Sequence, residues 1–194
     1  MTANDVVLGA RVAHVRELKA EIARLQGELS RARAENEGLH HHFALALAVA
    51  RDADRLPPDG RLLLIDGWNA LLGSASILPP EERRVAAPRK REWLCAAVRA
   101  WLAAHPLDRA WILFDGPQLH GEEEDRLRVS FTGGTGAHRA DRLVCDYLRM
   151  GRLVGAAPRA LVFTEDVDFR REAAALGADV HPVAELTRTT DRTA

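Results

Sequence analysis

Three apolar runs in this sequence end in the same way. LLLIDGWN stops at Asp66, AWILFDG at Asp115 and ALVFTED at Asp166. A fourth acid, Asp141, sits in HRADRLVCDYL, and Asp168 follows Asp166 by two positions. A buried strand gains nothing from a carboxylate at its tip. Each acid has an ordinary structural reading: Asp66, Asp141, Asp166 and Asp168 can cap or flank helix starts, and Asp115-Gly116 is a common turn pair. Taken together they say more. Carboxylates gathered at one edge repel and raise one another's pKa, so a cation must compensate. Oxygen donors without Cys or His point to Mg²⁺ or Mn²⁺ rather than Zn²⁺. The chemistry such a centre suits is metal-assisted attack of water on a phosphodiester.

The elements that would carry these acids alternate strand and helix from residue 61 onward. The aliphatic run Leu62–Ile65 reads as a strand buried on both faces, and AWILF, LRVSFT, RALVF and DVHPV read as further strands. Pro88 suits the first turn of a helix whose apolar stripe (Leu94, Ala97, Val98, Trp101, Leu102) ends near His105-Pro106. A second helix runs through Leu143, Val144, Tyr147 and Leu148 to Gly151, and a third through DFRREAAALGA. This alternation predicts an α/β fold of three layers with a mostly parallel central sheet. In such sheets ligands bind beyond the carboxyl ends of the strands, where the three terminal acids fall.

Before residue 57 the pattern is different. Ile22, Leu29, Asn36 and Phe43 fall at heptad a positions, and Leu18, Leu25, Ala32, Leu39 and Ala46 at d. In a parallel pair Glu28 faces the partner copy's Arg33, and Glu35 its His40. The expectation is a coiled-coil segment over 1–56 that forms a homodimer through 15–46. Pairing with another protein, or packing of the apolar end Phe43–Ala50 on the chain's own domain, remains open. HHH at 40–42 reads as helix surface, because adjacent helical residues point apart. Pro57, Pro58 and Asp59-Gly60 mark a linker over 57–60, followed by a domain over 61–187 and a tail over 188–194.

Composition bounds the rest. Across 194 residues the hydrophobic share is 47% and the net charge is −1, so no global field attracts nucleic acid. Cys95 and Cys145 read as separate free thiols in a reducing compartment. The amino-terminal stretch has no signal-peptide pattern and FALALAVA is too short to span a bilayer, so a cytoplasmic, non-membrane protein is expected.

LLLIDGWNALL, AWILFDG, HRADRLVCDYL and ALVFTEDVDF, in this order, resemble the NYN-domain branch of the PIN-like nucleases, above all its YacP-like members. The resemblance covers roughly residues 60 to 186. It implies a metal-dependent ribonuclease with Mg²⁺ or Mn²⁺ and RNA as partner. Catalytic roles fall to Asp66, Asn69, Asp115, Asp141 and Asp166, and metal ligation to Asp66, Asp115, Asp141, Asp166 and Asp168. The first motif carries Trp68 where the family usually has Tyr, and TED stands where TSD is usual, adding Glu165. For the substrate, Arg139, Arg142 and His138 flank Asp141, and EERRVAAPRKRE supplies Arg89, Lys90 and Arg91 as phosphate contacts. Trp68 serves either as a base-stacking platform or as core. The loop GGTGAH lacks the GK[ST] ending of a P-loop, DGWNALLG lacks GxGxxG, and Trp68 replaces the second aspartate of a haloacid phosphatase. The competing class is a non-catalytic RNA-binding or assembly module in which the acids act as caps.

Overall fold

The computed structural model describes residues 3–72, 78, 83–84, 86–117, 119–134, 136 and 138–188, with side chains at 16 and from 18 onward. Positions 81, 82 and 85 of the basic stretch, 135 and 137 of the glycine loop and 189–194 of the tail lie outside it. The elements are α1 (Ala3–Arg55), β1 (Leu62–Asp66), α2 (Gly67–Leu72), α3 (Ala87–Ala104), β2 (Arg109–Phe114), β3 (Leu119–Glu124), β4 (Leu127–Thr132), α4 (Arg139–Leu153), β5 (Ala160–Phe163), α5 (Val167–Ala175), β6 (Asp179–His181) and α6 (Glu185–Arg188). They form one six-stranded sheet in the order β3-β4-β2-β1-β5-β6. Every pairing is parallel except β3 with β4. The α/β expectation therefore holds.

Alternation along the strands splits the core between two faces. Leu63, Ile65, Ile112, Phe114 and Phe163 pack with Leu71 of α2, Leu94, Val98 and Trp101 of α3 and Leu186 of α6. Leu62, Leu64, Trp111, Leu113 and Val162 pack on the other side with Val144, Tyr147 and Leu148 of α4 and Phe169 of α5. Gly151 lies inside α4 rather than ending it. A Cβ there would stand 3.1 Å from the Ala157 backbone, so its smallness serves packing. The sequence reading had no β3: LHGEEE is exposed throughout and is held as a strand by its partner β4 through a tight turn in which Asp125 takes φ 51°.

The chain divides into two compact units, Met1–Ala44 and Leu45–Ala194. In the first, Leu18, Ile22, Leu25, Leu29, Leu39 and Phe43 are all exposed along one helix. Arg24 pairs with Glu21 and Glu28 on the same helix. In the second, the last turns of α1 belong to the globular core. Leu45 and Val49 are buried with β1, β2 and α4. Asp52 accepts hydrogen bonds from Arg128 (2.8 Å) and from the Tyr147 hydroxyl (2.9 Å), and the Arg128 guanidinium lies 3.7 Å above the Trp111 ring. Leu45, Val49 and Asp52 occupy c and g positions of the heptad, off the a/d seam. The turn at Gly60 closes with its N–H donating to the Pro57 carbonyl. Among the described residues no helix is long and apolar enough to cross a membrane.

Candidate metal centre

β1 lies at the middle of the sheet with β2 on one side and β5 on the other, so the strand order reverses beside it. That is the switch point at which open α/β sheets bind ligands. The register pairs Asp66 with Leu113 and Ile65 with Phe163, which brings the ends of β1, β2 and β5 to one edge. Asp66 stands within hydrogen-bonding reach of Asp141 in the first turn of α4. Burial, then the adjacent Asp141 and the charge of Asp115, push the Asp66 carboxyl up to about 8, against the lowering effect of the Asn69 amide. Asp141 is only 9% exposed, its Oδ2 lies 3.3 Å from His138 Nδ1, and its Oδ1 is buried with no donor. One ligand-type atom from each of His138, Asp141 and Asp166 falls within a span of 4.8 Å. These three line a 310 Å³ cavity with Arg142, Asp168, Phe169 and Glu172.

The remaining acids are held in place by backbone. Asp166 caps α5, its Oδ1 accepting from the amides of Asp168 and Phe169 at 2.9 Å each, and its own amide donates to Thr164 Oγ1. Asp115 accepts from the amides of Ala140 (2.7 Å) and Arg139 (3.3 Å) and from the Thr132 hydroxyl (3.3 Å). It therefore caps α4 from another strand, while His138, at the N-cap position with φ 59°, makes no cap of its own. Asn69 ties two strand ends together: its amide donates to Asp66 Oδ1 and its side-chain oxygen accepts from the Glu165 amide. Glu165 turns away, accepting from the Val183 amide at 2.9 Å. Asp168 lines the cavity, but its carboxylate is almost fully exposed and lies 3.7 Å from Arg171, outside the His138–Asp141–Asp166 group.

The basic candidates are spread more widely. Arg142 is on the cavity wall, with its Nε donating to the His138 carbonyl. Arg139 packs against Gly134 and reaches the Thr132 carbonyl, with its Nε buried. Trp68 is half-buried, edge-on to Phe114, and its indole N–H donates to the Asp115 carbonyl at 2.8 Å. Gly67 is required by packing, since a Cβ there would meet the Phe114 ring at 2.3 Å. Arg89 and Lys90 lie in the first turn of α3 and Arg91 over the Phe131 ring, none of them on the acidic cavity. Thr132, Thr164 and Glu172 were not expected. Glu172 alone had a signal, standing one helical turn after Asp168.

This arrangement fits a divalent cation. The donors are carboxylate oxygens, one of them buried and without a donor, and two of the acids share a space that a proton or a cation must neutralise. His138 adds an imidazole nitrogen to what was expected as an all-oxygen set.

No protein-family model and no curated protein matches the chain. Solved structures do. A variant of Rae1 (YacP) from Bacillus subtilis aligns with a TM-score of 0.51 at 21% identity, over 68% of this chain and 76% of that one. This chain has the fold of Rae1 (YacP). A second Rae1 (YacP) structure from Bacillus subtilis aligns with a TM-score of 0.47 at 19% identity over 68% and 75% of the two chains. The fold of Rae1 (YacP) is thus shared by a chain with only about one residue in five in common. The α/β architecture with a mostly parallel central sheet, expected from the alternation of strands and helices, is the one observed.

Proposed function

We propose that this chain is a YacP-like NYN-domain ribonuclease that hydrolyses RNA phosphodiester bonds with a divalent cation held by Asp141, Asp166 and Asp66. The buried, donorless Oδ1 of Asp141 carries the reading. A buried carboxylate oxygen without a donor is uncommon in a folded protein, and a cation shared with Asp166 and Asp66 would satisfy it. When bound, Mg²⁺ or Mn²⁺ supplies Lewis-acid stabilisation of the phosphoryl charge. The protein's own groups do the positioning. Asp166 is fixed by two amides that orient its free oxygen, and Asp141 is fixed by the α4 turn that Asp115 caps. Arg142 and His138, on the cavity wall, hold the phosphate and orient it toward Asp66. Asn69 keeps Asp66 aimed by joining the ends of β1 and β5.

Cleavage of a labelled RNA in Mn²⁺ tests this. Asp141→Asn is expected to lose roughly 10²–10³ in rate, the scale of a lost electrostatic stabiliser, and EDTA to abolish the activity. Cleavage that survives both changes overturns the proposal. Asp115 and Asp166 both serve as caps, which favours the second reading, a non-catalytic RNA-binding or assembly module. Calorimetry separates the two, because that module binds no Mn²⁺. The same proposal gives the chain a second copy as partner, paired through residues 15–46, where the apolar seam is exposed along a continuous helix.

A further inference from the structure

The globular unit has a cavity larger than the acidic one. This cavity has a volume of 500 Å³ and lies between α3 and the β3–β4 hairpin. Its wall includes Arg91, Glu92, His120, Glu122 and Phe131. A second cavity of 280 Å³ shares Arg91, His120 and Phe131 with it and reaches Gly116 and Pro117, the residues that follow Asp115. A path therefore leads from the strand end at Asp115 to this cavity along residues the two spaces have in common.

The groups on that path are flat and stacked. Phe114 and Phe131 are stacked at 5.5 Å with 23° between their planes. The Arg91 guanidinium lies over the Phe131 ring at 5.2 Å, and the His120 ring is nearly parallel to Phe131 at 6.4 Å. Guanidinium and imidazole planes at the end of an aromatic stack are surfaces on which unpaired bases stack. Beside them stand the carboxylates of Glu92, Glu122 and Glu124, and Arg99, whose guanidinium donates to Glu124 at 2.8 Å. The carboxylates accept hydrogen bonds from the exocyclic amino groups that adenine, cytosine and guanine carry and uracil lacks. A volume of 500 Å³ is within the range of small-ligand sites and holds a nucleobase with room to spare.

We propose that the cavity between α3 and the β3–β4 hairpin binds one unpaired, amino-bearing base of the RNA chain, stacked on Arg91 and His120, while the adjoining backbone runs toward the acidic centre. The proposal rests on the RNA substrate argued above and adds to it a base preference at one position. It makes Arg91 a specificity residue rather than a phosphate contact.

The test uses full-length Asp141→Asn protein in Mg²⁺, so that RNA is bound without being cut. Fluorescence anisotropy compares eight-nucleotide oligoadenylate with oligouridylate. Oligoadenylate is expected to bind roughly ten- to a hundred-fold tighter, the range of discrimination that hydrogen bonds to a base edge carry. Adding His120→Ala or Arg91→Lys should level the two affinities. The lysine keeps the charge but not the plane, so a mere phosphate contact would preserve any preference. Equal binding of the two RNAs by the parent, a preference retained in both variants, or no binding of either RNA overturns the proposal. If the preference is found but wild-type protein in Mn²⁺ leaves the bound oligoadenylate intact, the nuclease reading fails and the base site stands.

Discussion

At Asp66 a carboxyl group is held near its neutral form by burial and by Asp141 beside it, up to about 8 from its ordinary value of 3.8. In the cation-free protein the native state then binds this proton more tightly than the unfolded chain does. Its contribution to stability is complete below about pH 4 and is lost as pH rises through about 8. Thermal melts in EDTA between pH 5 and 9 should show the midpoint falling more steeply with pH for wild type than for Asp66→Asn. Added Mn²⁺ should restore the wild-type midpoint most at the alkaline end, where no proton competes for the site. Parallel profiles for the two proteins would mean that Asp66 and Asp141 are not close enough to interact. Part of this was legible in the residues themselves: acids at the ends of apolar runs converge if the runs are parallel strands. The division of labour was not. Asp115 caps a helix that begins 24 positions later, a contact created only by the fold. Asp166 and Asp168 look alike in sequence, but two residues apart at a helix start they point in different directions, so one joins the cluster and the other faces solvent.

Elements were readable where their apolar period is strong and unreadable where a neighbour imposes the structure. β1, β2 and β5 announce themselves by continuous aliphatic runs, and α3 and α4 by their stripes. β3 has neither, being an acidic edge strand whose charges discourage pairing with other chains. The end of α1 is a third case, because two patterns overlap on one helix. The heptad seam runs through Phe43 and Ala46, while Leu45, Val49 and Asp52, off that seam, are buried against the sheet and α4. A cut at the double proline therefore removes core. A fragment of residues 45–194 is expected to melt cooperatively near the full-length midpoint. One of residues 59–194 loses the buried Leu45 and Val49 side chains and leaves Arg128 and Tyr147 without their carboxylate. Each large-to-small change in such a core costs about 1–4 kcal/mol, and stranding a buried cation costs about 3–5 kcal/mol. The shorter fragment should therefore unfold far below the longer one in chemical denaturation, or fail to fold. Equal midpoints would show that these turns of α1 add nothing to the globular unit.

For the molecule as a whole, a net charge of −1 and an acidic centre would make a weak attractor for RNA, so RNA binding by a single copy would depend on a few local contacts. Two copies joined by a helix would present two centres on one assembly, and a strand that engages both is held more tightly than either site alone can manage. The exposed stripe Leu18, Ile22, Leu25, Leu29, Leu39 and Phe43 supplies the seam for such a pair. It is distinct from the face that Leu45 and Val49 bury, so it is not consumed by the chain's own core. In such a pair Asn36, at an a position, would select a parallel two-stranded register at some cost in stability. Sedimentation of the full chain should therefore give a dimer at micromolar concentration, and Leu29→Asp, which places a charge in the seam, should give a monomer. The same substitution should leave the melting of the globular unit unchanged, because Leu29 lies in the other compact unit. RNA affinity should fall in the monomer for strands long enough to reach two sites and stay constant for eight-nucleotide ones. A wild-type chain that sediments as a monomer at every concentration removes the second copy from this account. The stripe would then belong to a different protein partner.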